Sequence, residues 1–480
     1  MITRLTRRQF LQSALTLLAA GSSLNATGKP SSSLPPNVLM VVFDDLNDWI
    51  NCLGGYPGTV HTPNLDALAQ RGTLFANAHC AIPLCNGSRT STLTGLSPLQ
   101  TGVFYNNTQW RRMPALSNTL SLPQRFRRAG YHCLNAGKVF HFPDPASWDR
   151  FWPDNLHGFP DEPVPPDNEH PLKGGPPQNR IDASFDWGVV NTPTEQTPDY
   201  QVADHIIRYL ETPSTQPVFI GMGLGKPHLP WYLPQRYFDA YPLDTVQLPA
   251  VLDHDLDDVP AAARALVNDY LHKDVVRFGF WKKAVQAYLA SITYADEQLG
   301  RVLTALHQSS RADNTLVVVW SDHGWHLGEK MQWRKLTLWN EATHVPLIMS
   351  GPGIRAGQRV DAAGSLLDIV PTLGELFLLP LPSTLAGRSL VPLLHHADAP
   401  GAWSAATVWE MQGKIHASLR EGQYRYTRYA DGSEELYDMT HDPHEWHNLA
   451  NLADRANIKT QLQHTLRQQQ EAMQRAIPSG

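Results

Sequence analysis

Four short apolar runs, each ending on charged residues, constrain this chain more than any other feature. The run at 38–43 (VLMVVF) leads into Asp44 and Asp45, and the run at 316–320 (LVVVW) leads into Ser321, Asp322, His323 and Gly324. The stretch 131–135 is followed by Gly137, Lys138 and His141, and 218–224 (VFIGMGL) by Lys226, Pro227 and His228. Continuous apolar runs of this length, without polar alternation, predict strands buried on both faces. Helix-period segments lie between them at 65–71, 121–129 and 284–307, the last with Val285, Leu289, Ile292, Leu299, Val302 and Leu303 along one stripe. Strands alternating with helices predict an α/β fold around a mostly parallel central sheet. Ligands of such sheets bind beyond the carboxyl ends of the strands, so these acids, lysines and histidines are expected to meet at one edge.

The α/β pattern is expected to span 34–400, with a long loop-like insertion at about 142–198 that is rich in Pro, Gly, Asp and Asn. The last eighty residues read differently. Short strands at 415–419, 424–429 and 434–437, a turn at Asp431-Gly432 and a Gln- and Arg-rich helix around 455–475 predict a smaller α+β C-terminal subdomain with an antiparallel sheet over 401–480. At the other end, Arg4, Arg7 and Arg8 precede an apolar stretch at 15–20 and small residues up to Ala26, the layout of an export signal over 1–26. Its Thr6-Arg7-Arg8-Gln9-Phe10-Leu11 resembles the bacterial twin-arginine motif, which implies the twin-arginine translocase as a partner and a periplasmic or secreted destination. No cysteine precedes Cys52, which argues against a lipid anchor. A net charge of −6 excludes the basic footprint of a nucleic-acid binder. No apolar run reaches the ~18 residues of a membrane span, and four cysteines in 480 residues exclude a disulfide-built scaffold.

Adjacent acids at a strand end repel unless a cation stands between them. Asp44, Asp45 and Asp322 offer hard oxygen ligands suited to Ca²⁺ or Mg²⁺, and His323 adds a nitrogen that would also suit a transition metal. The lysines and histidines at the same edge suit a tetrahedral oxyanion and proton transfer near neutral pH. Together they fit reaction at a phosphate or sulfate ester.

The segment 84–95 (LCNGSRTSTLTG) places Cys85 near the start of a helix, where the dipole favours an anion. Here the chain resembles the type I sulfatases of the alkaline-phosphatase-like superfamily, whose signature runs Cys-x-(Pro or Ala)-Ser-Arg and then Thr-Gly. Stretches at 37–46, 62–80, 344–348 and 435–450 extend the resemblance over nearly the whole chain. Within that family, 137–141 (GKVFH), 226–230 (KPHLP) and 321–346 are similar to the iduronate-2-sulfatase branch.

The resemblance implies that Cys85 is oxidised to formylglycine by a formylglycine-generating enzyme. It also implies one Ca²⁺ held by Asp44, Asp45, Asp322, His323 and the modified Cys85. Arg89 would hold the formylglycine hydrate, and Lys138 and Lys335 the sulfate oxygens; Lys335 follows from a match to Trp333-Arg334-Lys335. His228 is the candidate acid for the leaving oxygen and His141 the candidate base, and the two roles are exchangeable. Gly87 departs from the signature, which has Pro or Ala there, and is expected to loosen the turn and bear on conversion of Cys85. The branch implies a sulfated sugar such as a 2-O-sulfated uronic acid. Arg111, Arg112, Lys173 and Arg180 are loop cations that could meet a carboxylate, and Trp110 and Trp231 either stack on a sugar or pack internally. With Cys85 consumed, the remaining Cys52, Cys80 and Cys133 leave at least one thiol free or paired between chains. Two other readings stand beside the sulfatase: a phosphodiesterase or phosphonate hydrolase on the same scaffold, and a non-catalytic protein binding sulfated glycans through an unconverted Cys85.

Overall fold

The protein is described by a computed structural model over residues 36–155, 159–164 and 185–475; the expected export signal, Lys173 and Arg180 lie outside these residues. Each apolar run forms the strand it predicts, and β-branched residues along them fill the pleated surface. The central strands are β1 (Asn37–Asp44), β2 (Thr73–Phe75), β3 (His132–Gly137), β4 (Arg150–Trp152), β5 (Val218–Pro227), β6 (Thr315–Ser321), β7 (Leu347–Ser350) and β8 (Gln358–Val360). They form one eight-stranded sheet in the order β8-β2-β7-β6-β1-β5-β3-β4. Only β7 runs antiparallel to its neighbours β2 and β6.

All eight residues of β1 are buried, and its alternation shows why. Leu39, Val41 and Phe43 face one core layer with helix α5 (Trp281–Gln308), while Val38, Met40 and Val42 face the other with α2 (Cys85–Thr94) and α3 (Leu122–Arg128). Both faces are therefore covered, as a parallel sheet requires. Helix α1 (Pro63–Arg71) begins with Pro63, and α3 begins on a capping box in which Ser121 and Gln124 satisfy each other's backbone donors. Helix α4 (Pro198–Leu210) packs its buried Val202, Ala203 and Ile206 into the same layer as α5.

Two short strands lie among the described residues of 142–198. Arg150–Trp152 closes the sheet edge as β4, and Trp187–Val189 pairs with Trp231–Leu233. In the C-terminal region, β9 (Ser404–Met411), β10 (Lys414–Glu421), β11 (Tyr424–Arg428) and β12 (Glu434–Asp438) form an antiparallel meander. Helix α6 (Ala456–Met473) covers it through Leu462, Leu466 and Met473. No helix among the described residues is long and apolar enough to cross a membrane.

Register brings the charged strand ends to one edge. Asp44 lies opposite Pro227, Phe43 opposite Ser321, and Gly137 opposite Gly223. The last pair is a close approach. A Cβ on Gly223 would stand 2.1 Å from the carbonyl carbon of Lys138, and Gly137 has φ +76° with a Cβ position 2.1 Å from Gly223 O. Glycines here let β3 and β5 meet where Lys138 leaves the sheet, with its amide donating to Gly223 O at 3.2 Å. Gly223→Ala is therefore expected to cost about 3 kcal/mol of stability and to displace Lys138. Urea unfolding would show the loss of stability, and an unchanged unfolding midpoint would refute the close-approach account.

Candidate active site

The site is built on three buried carboxylates at the ends of β1 and β6. Asp44 accepts from Arg89 Nη2 at 3.0 Å and pairs with Lys138 Nζ. Asp45 accepts from Lys335 Nζ at 2.6 Å, and Asp322 Oδ2 accepts from Arg89 Nε at 2.8 Å. Arg89 is fully buried one helical turn after Cys85, so α2 itself delivers both residues. Its other nitrogen donates to the carbonyls of Lys138 and Val139, tying β3 to the acids.

Asp45 carries a left-handed backbone (φ +68°), a strained conformation for an acid with a Cβ. Neighbours hold it there: Asp45 N donates to Asp322 Oδ1 at 3.1 Å, and Tyr288 OH donates to Asp45 O at 2.7 Å. The turn brings the carboxylate within 4.8 Å of Cys85 Sγ. Cys85 is the first residue of α2 and is completely buried. Its Sγ lies 3.2 Å from His323 Nε2 and 3.3 Å from Lys335 Nζ. His323 also stands 3.4 Å from Asp45 Oδ1.

Electrostatics follow from this crowding. Burial alone would raise the Asp44 carboxyl, but Lys138 and Arg89 hold it well below the usual carboxylate range. Burial wins at Asp45 and raises it despite Lys335. Burial would raise the Cys85 thiol, yet Lys335 and His323 bring it below its ordinary value. His323 goes against its own burial to about 9 because of Asp322. His228 falls to about 4 through burial, with Lys335 and Lys138 pushing the same way against Asp45 and Asp44. His141 falls to about 3 through burial and Lys138. Both histidines are therefore neutral at pH 7.

The donor set fits a divalent cation. Asp45, Cys85 and His323 offer ligand atoms within 4.8 Å of one another, and so do Asp44, Cys85 and Asp322. Asp45 Oδ2 is buried without a hydrogen-bond partner, with His228 Nε2 at 3.8 Å. Such an orphaned carboxylate oxygen is what a hard cation would satisfy.

The chain matches the family described as Sulfatase over residues 36–378, and that described as N-sulphoglucosamine sulphohydrolase, C-terminal, over 328–472. A curated protein named Sulfatase from Formosa agariphila is 36% identical over 427 residues, covering 87% of this chain and 83% of that protein. This chain belongs to the sulfatase family. Human iduronate 2-sulfatase is 32% identical over 369 residues, covering 72% of this chain and 66% of the human enzyme. The phosphonate monoester hydrolase of Agrobacterium radiobacter shares the fold at a TM-score of 0.72 and 23% identity, covering 91% of this chain and 96% of that one. The protein is thus a sulfuric ester hydrolase on the alkaline-phosphatase-like α/β fold.

Within this sulfatase the structure gathers Asp44, Asp45, Cys85, Arg89, Lys138, Asp322, His323 and Lys335 into direct contact. His228 stands at the rim, its side chain 35% exposed, with Nδ1 against Leu229 O. His141 lies close enough to feel Lys138 and Asp44, and its buried Nδ1 has no hydrogen-bond partner. Trp231 is fully buried and donates to Pro227 O at 2.6 Å, and Trp110 stacks on Phe140, so both pack inside. Arg111 is paired with Asp144 at 2.9 Å and is no free cation for a substrate, whereas Arg112 is exposed. No disulfide joins any of the four cysteines.

Gly87 corrects a second expectation. It sits inside the first turn of α2 and does not loosen a turn. A Cβ there would lie 2.7 Å from Val103 O and 2.8 Å from Ile82 Cγ2, so the residue admits a close neighbour. Sequence reasoning missed Tyr288, Ser321, whose Oγ accepts from Leu46 N at 3.0 Å, and Ser88, whose Oγ donates to Asp322 O at 2.5 Å. Ser88 was findable, because it stands three residues after Cys85 in the same signature. Tyr288 lies on an amphipathic helix with no local mark of its role. Removing Arg89 leaves two buried carboxylates without their shared partner, so Arg89→Ala is expected to cost about 3–5 kcal/mol. Guanidinium unfolding measures this, and Arg89→Lys should recover only part, because one ammonium cannot bridge both acids.

Proposed function

We propose that the protein is an exported sulfatase that hydrolyses a sulfate ester of a sulfated carbohydrate. Residues 1–26 serve as a twin-arginine signal for periplasmic or secreted delivery, 34–400 form the catalytic domain, and 401–480 a C-terminal subdomain. The observation that carries this reading is Cys85 at the start of α2, flanked by His323 and Lys335 and facing three buried acids. The similarity to iduronate 2-sulfatase supports a sulfated uronic acid as substrate.

Asp44, Asp45, Asp322, His323 and residue 85 would hold one Ca²⁺. When bound, this ion supplies positive charge that lowers the cost of attack at sulfate, and a formylglycine at position 85 supplies the hydrated aldehyde as nucleophile. The chain's own residues do the rest. Arg89 fixes Asp44 and Asp322 in place. Lys138 and Lys335 bind sulfate oxygens as point charges. His228, held neutral mainly by burial, gains negative charge beside it when a sulfate is bound between the lysines, which favours the proton it gives to the leaving alcohol oxygen. His141, held neutral by burial, accepts the proton that resets the site.

Hydrolysis of a phosphodiester or phosphonate is the competing chemistry on this fold. Purified enzyme is expected to release sulfate from sulfated uronic-acid oligosaccharides faster than it cleaves phosphate diesters; the opposite order would reject the proposal. Cys85→Ala should abolish turnover while calorimetry still detects Ca²⁺ binding. Peptide mass spectrometry across residue 85 should show the aldehyde in place of the thiol. A thiol retained in fully active enzyme would reject the formylglycine nucleophile.

A further inference from the structure

A second cationic cavity lies far from Cys85. Helix α2 carries ten residues, Cys85–Thr94, so its two ends stand roughly 15 Å apart at ~1.5 Å per residue. Beyond its distal end, a cavity of about 880 Å³ is lined by Leu96, Asn118, Thr119, Arg125, Arg128 and Pro382, among others. Arg125 is only 9% exposed. One guanidinium nitrogen donates to Pro380 O at 3.2 Å, and its Nε is buried with no hydrogen-bond partner. Arg128 stands close by and is exposed. Among the described residues no carboxylate pairs with either arginine.

The contrast with their neighbours is informative. Arg111 is answered by Asp144 at 2.9 Å, and Arg127 by Asp149 at 3.9 Å. Arg125 is instead left desolvated beside a like charge, and burial together with Arg128 lowers its affinity for its proton. An arginine cannot escape such a cost by deprotonating in the physiological range, so the cation persists. An anion entering the cavity would repay part of it, and a guanidinium fork matches a planar carboxylate or a sulfate face through paired hydrogen bonds. The exposed side chains of Ser117 and Asn118 line the same cavity and offer hydroxyl and amide groups of the kind that bind sugar hydroxyls.

We propose that this cavity is an accessory site for the acidic group, carboxylate or sulfate, of a saccharide, separate from the catalytic centre. The saccharide part rests on the carbohydrate reading above; the anion part does not. The test uses the full chain carrying Lys138→Ala and Lys335→Ala, which strips the catalytic anion contacts. It is titrated calorimetrically with a sulfated uronic-acid tetrasaccharide, its unsulfated counterpart and inorganic sulfate. At least one tetrasaccharide is expected to bind, and adding Arg128→Gln should weaken it roughly tenfold, the loss of about one charge-assisted contact. Arg125→Gln should weaken it at least as much. Because Arg128 is exposed, its variant is expected to fold even if the Arg125 variant does not.

Binding of both tetrasaccharides assigns the carboxylate, and binding of the sulfated one alone assigns the sulfate. In otherwise unaltered enzyme, Arg128→Gln should lower kcat/KM on the oligosaccharide several-fold and leave turnover of a small aryl sulfate unchanged. Binding of inorganic sulfate alone overturns the saccharide assignment. No binding of any probe, or affinities untouched by Arg128→Gln, overturns the site itself. Failure of the carbohydrate reading would appear separately, as no sulfate release from saccharides by an enzyme that still turns over the aryl sulfate.

Discussion

The structure depends on a balance of buried charge at one sheet edge. Asp44, Asp45 and Asp322 are withdrawn almost entirely from water, and each ion would be prohibitively costly alone. Arg89, Lys138 and Lys335 answer them one for one, and Arg89 answers two at once. The three cations differ in kind. Arg89 is enclosed and bridges, so it is part of the frame. The two lysines reach in on flexible stems from β3 and from the segment after Trp333–Arg334. If Asp44, Asp45 and Asp322 held a divalent cation, Lys138 and Lys335 would be the cations left to meet an anionic substrate, as the proposed function requires.

That balance works only if strands from distant parts of the chain end at the same level. Register does this, with Asp44 opposite Pro227, Phe43 opposite Ser321 and Gly137 opposite Gly223. The fold was legible in the sequence for the same reason. Strands buried on both faces have no polar alternation to dilute them, so β1, β5 and β6 announce themselves, as does the 28-residue α5. The residues just past those strands followed at once, and they form most of the site.

Other parts were opaque for physical reasons. Strands β2, β7 and β8 have three or four residues each, too few to show a period, and β2 pairs with partners hundreds of positions away. β9 begins with small residues (Ser404, Ala405 and Ala406) that carry little β signal, and it is held by β10 and by the distant 80–81 segment, with Val408 N donating to Ala81 O at 2.9 Å. Within the loop-like stretch 142–198, Arg150–Trp152 forms β4 by pairing with β3, a contact that Pro- and Gly-rich composition does not reveal. Tyr288 marks the same limit at the site. Its hydroxyl secures the strained backbone of Asp45, yet in sequence it is one more apolar position of a helix.

Gly87 shows how a departure from a family pattern can be read from packing. The neighbouring Asn86 clamps the segment 105–108 onto the start of α2. Its amide donates to Asn106 Oδ1 at 3.1 Å, and its side chain donates to Tyr105 O at 2.8 Å and Thr108 O at 2.7 Å. These bonds occupy donors at the first turn of the helix and draw the preceding Val103 against position 87. A methyl group there would have to push Val103 away, loosening the clamp one residue from Cys85. Proline would add its ring to the same contact. Glycine at 87 is thus the residue that lets Asn86 hold the start of α2, and with it the direction in which Cys85 faces the acids.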